Sequence, residues 1–131
     1  MKKVVLLLLL AVMMLTACGQ DKENGQGAVY VNITAEEAKQ IMDSEEGYII
    51  LDVRTQEEYD QGHIPGATQI SHKEIAEKAE EVLTDKDQLI LVYCRSGRRS
   101  KIAAEALVEL GYTNIKEFGG IIDWPYEVEK P

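Results

Sequence analysis

Cysteine is nearly missing from this chain: there are two, Cys18 and Cys94, among 131 residues. They form no CxxC pair, which excludes thioredoxin-type exchange. With two scattered histidines, His63 and His72, the chain also has too few ligands for a metal site of the usual Cys/His kind. Basic residues are in the minority, 14 Lys and Arg against 23 Asp and Glu, for a formal charge of −9. Loss of an N-terminal segment carrying Lys2 and Lys3 removes two positive charges and leaves −11, which argues against nucleic acid as a partner. Proline is scarce and no internal repeat is visible. The longest apolar run, Val4–Leu15, falls short of the roughly 20 residues of a comfortable membrane span. What remains is a chain that is 45% hydrophobic, enough for one domain with a real core and too short for two.

The start of the chain has a signal peptide's layout, Met1-Lys2-Lys3 and then the apolar run. The run ends in Leu15-Thr16-Ala17-Cys18-Gly19, small residues leading into a cysteine. This resembles the lipobox of bacterial lipoproteins, where cleavage precedes the cysteine and its thiol becomes diacylated. The resemblance implies a signal peptide over 1–17, a lipidated Cys18 and a mature protein held to the cell membrane by fatty-acyl chains such as palmitate, with the domain outside the cytoplasm. Two or more chains suffice for stable anchoring, where one is marginal. A plain secretory signal cleaved elsewhere, or an uncleaved anchor, is the alternative. Residues 18–28 continue as a polar, Gly-rich stretch that reads as a flexible linker to a folded domain over 29–131.

One stretch of that domain stands out, Tyr93-Cys94-Arg95-Ser96-Gly97-Arg98-Arg99-Ser100. The unbroken apolar run Leu89–Tyr93 before it suits a strand buried on both faces of a parallel sheet. After it, Ile102, Ala103, Ala106, Leu107 and Leu110 recur at helical spacing. Cys94 therefore sits at the carboxyl end of a core strand, where open α/β sheets bind ligands, in a turn that opens a helix. The turn's amides can cradle an anion. Three arginines beside those amides oppose the helix dipole by a few tenths to about 1 kcal/mol each. They become reasonable if something negative occupies the turn, either the Cys94 thiolate or an anionic substrate. Cationic neighbours and a helix N-terminus also lower a thiol's pKa toward reactivity. The bland alternative is a small buried cysteine with solvent-facing arginines.

In chain order, Val29–Ile33 reads as a short strand, and the capping box Thr34–Glu37 opens a helix to about Asp43. Tyr48–Val53 is a buried strand followed by Arg54, and Thr55–Glu58 repeats the capping box for a short helix. His63–Ala67 is loop, Thr68–Ile70 a brief strand, and Ser71 with Glu74 a third capping box heading a helix to about Val82. The helix after the Cys94 turn ends at Gly111, and Ile115–Phe118 is the last strand. Alternating strands and helices predict a parallel α/β sheet of four or five strands.

Five pieces now fall into one pattern: Leu51-Asp52-Val53-Arg54, Glu58-Tyr59, Gly62–Ala67, Tyr93–Ser100, and Phe118–Ile121 with Trp124. In this order and spacing the chain resembles the rhodanese family, single-domain sulfurtransferases, over essentially all of 29–131. The resemblance implies a three-layer α/β/α fold with a central five-stranded parallel sheet. It implies that Cys94 accepts a sulfane sulfur from thiosulfate, a polysulfide or a persulfide, and passes it from a Cys94 persulfide to a thiol or cyanide, a two-step covalent scheme. No cofactor or metal is required. The active-site loop is then Arg95, Ser96, Gly97, Arg98 and Arg99, whose amides hold the charged sulfur as an oxyanion hole holds its oxygen. Arg95 and Arg98 are candidates to draw in the anionic donor, and Arg99 to pack back against the loop. Asp52 and Arg54 either reach the pocket or support it, Asp52 by accepting loop amides and Arg54 by pairing with Glu58. His63 reads as a hydrogen-bonded spacer, His72 as a surface residue and Trp124 as a core or lid aromatic.

The same fold carries dual-specificity phosphatases and arsenate reductases, whose pattern is Cys-x5-Arg, usually preceded by His. Here Ser100 stands six after Cys94, the arginine comes one earlier at Arg99, and Tyr93 replaces the His. The shorter turn makes a smaller cradle, suited to a single sulfur. The remaining rival is a module without turnover, a persulfide carrier or a sensor docked to a membrane partner.

Overall fold

A computed structural model describes residues 29–131. The signal-like segment, Cys18 and the linker to residue 28 lie outside the described residues. Strands β1 (Val31–Asn32), β2 (Ile49–Asp52), β3 (Thr68–Gln69), β4 (Ile90–Cys94) and β5 (Ile115–Gly120) form one sheet in the order β1-β5-β4-β2-β3. Every pairing is parallel. Four helices connect them: α1 (Ala35–Ser44), α2 (Gln56–Gln61), α3 (Ile75–Val82) and α4 (Arg98–Glu109).

Central position explains the composition of β4. Paired on both sides and covered on both faces, its five residues are all buried, so an unbroken apolar run is what the site demands. Its side chains alternate between two cores. Ile90, Val92 and Cys94 join Ala103, Ala104 and Leu107 of α4 and Ile75 and Ala79 of α3 on one face. Leu91 and Tyr93 join Ala38 of α1, Ile64, Phe118 and Trp124 on the other. The result is a parallel sheet of five strands, within the four or five that the alternation predicts, in the three-layer α/β/α arrangement that the resemblance implies.

The capping boxes at Thr34/Glu37 and Thr55/Glu58 form, each threonine oxygen accepting from the N3 amide and each glutamate accepting from the N-cap amide. The third does not. Ser71 accepts only a long 3.4 Å bond from Lys73 N, residues His72–Glu74 make a 3₁₀ turn, and the α-helix starts at Ile75. The reason is non-local: Ile70 N and His72 N donate to Asp52 O and Val53 O, so the sheet holds the chain through the would-be first turn. Glu74 pairs with Lys78 instead.

The register slips between β4 and β5. Val92 faces Glu117 but Cys94 faces Gly120, so β5 carries one extra residue beside the cysteine. Such bulges bend a strand and re-aim its side chains. Here the bulge brings Glu117 and Gly119–Gly120 against the turn that follows Cys94.

Candidate active site

Cys94 ends β4 with 1% of its surface exposed. The chain then turns through Arg95–Gly97 into α4, with Gly97 at the N-cap in the left-handed region, φ 109°. That conformation strains any residue with a Cβ, and it turns the Gly97 amide onto the sulfur at 3.0 Å. Burial pushes the Cys94 thiol up, but hydrogen bonds from the Ser100 hydroxyl and the amides of Ser100, Gly97 and Ser96 outweigh it and hold the thiol below its ordinary value. The negative charge of a thiolate is thus met by fixed dipoles at close range.

The turn is closed from behind by Gly120. Its backbone is ordinary extended chain, φ −131°, yet a Cβ there would lie 2.0 Å from Arg95 O and 2.5 Å from Ser96 Cα. Only glycine lets the two segments pass so closely.

The three arginines divide. Arg99 makes a bidentate pair with Glu58, 2.8 and 2.9 Å, which ties the first turn of α4 to α2. This pair, with the Thr55 capping bonds, holds the Glu58 carboxyl down at about 2. Arg95 and Arg98 are exposed and enter no ion pair among the described residues. With Ser96, Arg99, Thr55, Ser71, His72 and Lys73 they line a hollow of about 540 Å³ at the mouth of the turn. His72 is therefore not a bare surface residue. It is half-buried in that mouth, and burial, then the charges of Arg99, Lys73 and Arg98, push it toward its neutral form.

Asp52 and Arg54 belong to a second layer. Arg54 does not pair with Glu58, which its capping role turns toward Arg99. The guanidinium instead bonds both Asp52 oxygens, with Nη2 2.7 Å from Oδ2, and donates to Gly62 O at 2.7 Å. Asp52 accepts one loop amide, that of Arg54, at 3.0 Å. Tyr93, on the strand that carries Cys94, donates to Asp52 Oδ2 at 2.5 Å and accepts from Ile64 N at 3.1 Å. Burial, then Asp52, push its phenol up, so it stays a neutral donor. The pair is buried, Asp52 at 0% and Arg54 at 5% exposure, and it holds loop to strand beneath the turn.

His63 is a spacer. Its ring stacks on Tyr59 at 3.7 Å, Nδ1 bonds Tyr59 O at 2.9 Å and Nε2 lies 3.3 Å from Glu129. Trp124 is a core residue, buried against Phe118 with its indole N–H donating to Glu127 O.

Two residues of the site escape sequence reasoning. Ser100, in the first turn of α4, places its hydroxyl oxygen 3.4 Å from the sulfur, where it accepts from the Cys94 thiol. Glu117, 2% exposed, meets that hydroxyl with Oε2, which also accepts from Gly119 N at 2.9 Å. Alternation along β5 puts Glu117 on the face of Ile115, in the core that holds Cys94, and that was the available signal.

The rhodanese-like domain model matches residues 34–125. The chain is 42% identical over 73 residues to the thiosulfate sulfurtransferase PspE of Escherichia coli, covering 56% of this chain and 70% of that one. It is 37% identical over 93 residues to a sulfurtransferase of Allochromatium vinosum, covering 70% and 85%. Among solved structures, a rhodanese with anions from E. coli superposes with a TM-score of 0.60 at 38% identity, over 64% of this chain and 99% of that one. With a five-stranded parallel sheet, a cysteine in an amide-lined turn and a family match across most of the folded domain, the chain belongs to the rhodanese-like family and is a sulfurtransferase of the rhodanese type.

Proposed function

We propose that Cys94 carries the sulfur. Its thiolate attacks the outer sulfur of thiosulfate, or the sulfane sulfur of a persulfide or polysulfide. The donor's S–S bond breaks, sulfite or a thiolate leaves with the electron pair, and Cys94 becomes a persulfide. A thiol, or cyanide in an assay, then attacks the terminal sulfur and expels the Cys94 thiolate, completing a two-step transfer. The observation that carries this reading is the Cys94 sulfur at the focus of the Ser96, Gly97 and Ser100 amides, which lower its thiol and can hold the charge of a thiolate. Arg95 and Arg98, exposed at the mouth with His72 and Lys73, supply the positive field that recruits an anionic donor. Arg99 and Gly97 set the turn's shape, and Asp52 with Arg54 supports it from below. The position where a phosphatase turn places its arginine is held by buried Ser100, which bears no charge.

The setting follows from Cys18, lipidated after removal of residues 1–17, with 18–28 as a tether that carries the domain on the outer side of the cell membrane.

The test uses the full chain. Incubation with thiosulfate or polysulfide is expected to add one sulfur to the peptide containing Cys94. Cyanide then removes it as thiocyanate, and Cys94→Ser shows neither event. An unmodified Cys94 with both donors refutes the transfer. A persulfide that no thiol or cyanide discharges identifies a carrier without turnover, and Cys94-dependent hydrolysis of an aryl phosphate identifies a phosphatase. Replacing Cys18 with Ala is expected to release the protein from membranes, and unchanged retention refutes the anchor.

A further inference from the structure

Arg95 borders two hollows of different character. The one at the mouth of the turn, which it shares with Arg98, His72 and Lys73, is lined by polar and charged residues alone. The other, of about 390 Å³, is not used by the scheme above and has an aliphatic wall of Ile121, Ile122 and Val128. Backbone bonds fix that wall in place. Ile122 N donates to Arg95 O at 3.2 Å, which ties the isoleucines to the residue after Cys94. His63 and Glu129 exchange amide bonds at 2.9 and 2.7 Å. Alternation along that extended segment turns Val128 and Lys130 to one side, where both lie over Gly62. Ile121 and Val128 also pack on the core of Phe118 and Trp124, whereas Ile122 is 58% exposed.

The charges around this hollow do not cancel. Glu58 borders it, but Arg99 takes both oxygens of its carboxylate. Arg54 is paired with Asp52, and Glu129 turns to His63 at 3.3 Å. Arg95 and Lys130 enter no ion pair among the described residues. An aliphatic wall with two cations at its edge suits a molecule with a carbon chain and a negative group. Thiosulfate has no carbon and gains nothing from the wall, while the volume lies in the range of small-molecule sites.

We propose that this hollow receives the thiol acceptor and selects small thiols with an aliphatic body and a carboxylate. The inference rests on Cys94 carrying the sulfur. In the step it serves, the acceptor's thiolate attacks the terminal sulfur of the Cys94 persulfide. A new S–S bond forms on the acceptor, the bond to Cys94 Sγ breaks, and its electron pair stays on Cys94 as thiolate. The acceptor leaves as an organic persulfide. Ile121 and Ile122 hold its chain, and Lys130 with Arg95 its carboxylate. Donor and acceptor then reach one sulfur from two sides of Arg95, the compact anion by the polar hollow and the organic thiol by the aliphatic one.

The test loads the full chain with thiosulfate and discharges it with three thiols. These are 6-mercaptohexanoate, with chain and carboxylate, 6-mercaptohexanol, with the chain alone, and 2-mercaptoethanol, with neither. The readout is kcat/KM for each thiol, relative to 2-mercaptoethanol in the same protein, compared between wild type and variant. Differences in the thiols' own reactivity then cancel. Ile122→Ser is expected to lower this ratio for both six-carbon thiols at least about threefold, less than the roughly tenfold of one enclosed methylene because Ile122 is open to water. Lys130→Gln is expected to lower it for 6-mercaptohexanoate only, with an effect that fades as salt is added. An unchanged ratio for 6-mercaptohexanoate in either variant overturns the assignment. Cyanide discharge of the wild type is scored separately. Absent thiocyanate refutes sulfur transfer itself, whereas normal thiocyanate with unchanged thiol ratios overturns the acceptor hollow alone.

Discussion

Replacing Glu58 with Gln separates the active-site turn from its brace. In the folded protein Glu58 takes both guanidinium N–H groups of Arg99 and closes the α2 capping box with Thr55. Its carboxyl moves from an ordinary 4.5 to about 2, by the Arg99 hydrogen bonds first, against some desolvation, and with help from Thr55. At about 1.4 kcal/mol per pKa unit the difference sets a ceiling of about 3 kcal/mol. The Glu58 side chain is 27% exposed, so water screens part of the pair. Gln also keeps one acceptor for Thr55 and Arg99. The expected loss above pH 4.5 is therefore about 1–2 kcal/mol. Because the folded pKa is depressed, this stabilisation is complete above the unfolded value and fades as pH falls from 4.5 toward about 2. Urea unfolding of wild type and Glu58→Gln at a series of pH values reads it directly. The two stabilities are expected to differ by a constant amount at neutral pH and to converge on acidification. A gap that does not change between pH 7 and the acid end means that the carboxylate charge is not what holds Arg99, and the reasoning fails.

Two further outcomes follow from the same geometry. Gly120→Ala forces a Cβ to within 2.0 Å of Arg95 O. It is expected to cost about 1–3 kcal/mol by thermal melting and most of the transfer rate, as overpacking against backbone has no side-chain escape. A normal melt with normal turnover contradicts the close approach. Arg95→Ala and Arg98→Ala are expected to raise KM for an anionic donor several-fold each with kcat little changed. The effect shrinks as salt is added, since both groups are exposed. An equal loss with a neutral persulfide donor refutes recruitment by charge.

What could be read from the sequence divides by distance along the chain. The strand, turn and helix around Cys94 were legible because each is announced by its own residues: an apolar run, a glycine, then helical spacing. The Thr34 and Thr55 capping boxes were legible for the same reason. Ser71 carries the same local pattern and fails, because His72 N and Ile70 N are claimed by carbonyls of Val53 and Asp52. Local spacing also suggested Arg54 with Glu58, four residues apart. The partner of Glu58 is Arg99, 41 residues away, and no local pattern announces it. Ser100 and Glu117 escaped likewise, since their meeting depends on a one-residue slip between β4 and β5.

The basic character of the turn takes on a different meaning once the pairs are known. Three arginines at a helix N-terminus suggest that their charge creates the thiolate. The hydrogen bonds that lower the Cys94 thiol come instead from Ser100 and from the amides of Ser100, Gly97 and Ser96. Distance and solvent explain the division. An amide 3.0 Å from the sulfur acts in a buried site, whereas an exposed guanidinium acts through water and salt. Arg99 has its charge met by Glu58, so the cost of three cations on the α4 dipole falls on two. Those two face solvent, where the proposed anionic donor would meet them before it reaches the sulfur. In the proposed scheme, fixed dipoles set the reactivity of the sulfur, and the two exposed arginines set which molecules reach it. The two properties can therefore be changed by separate substitutions.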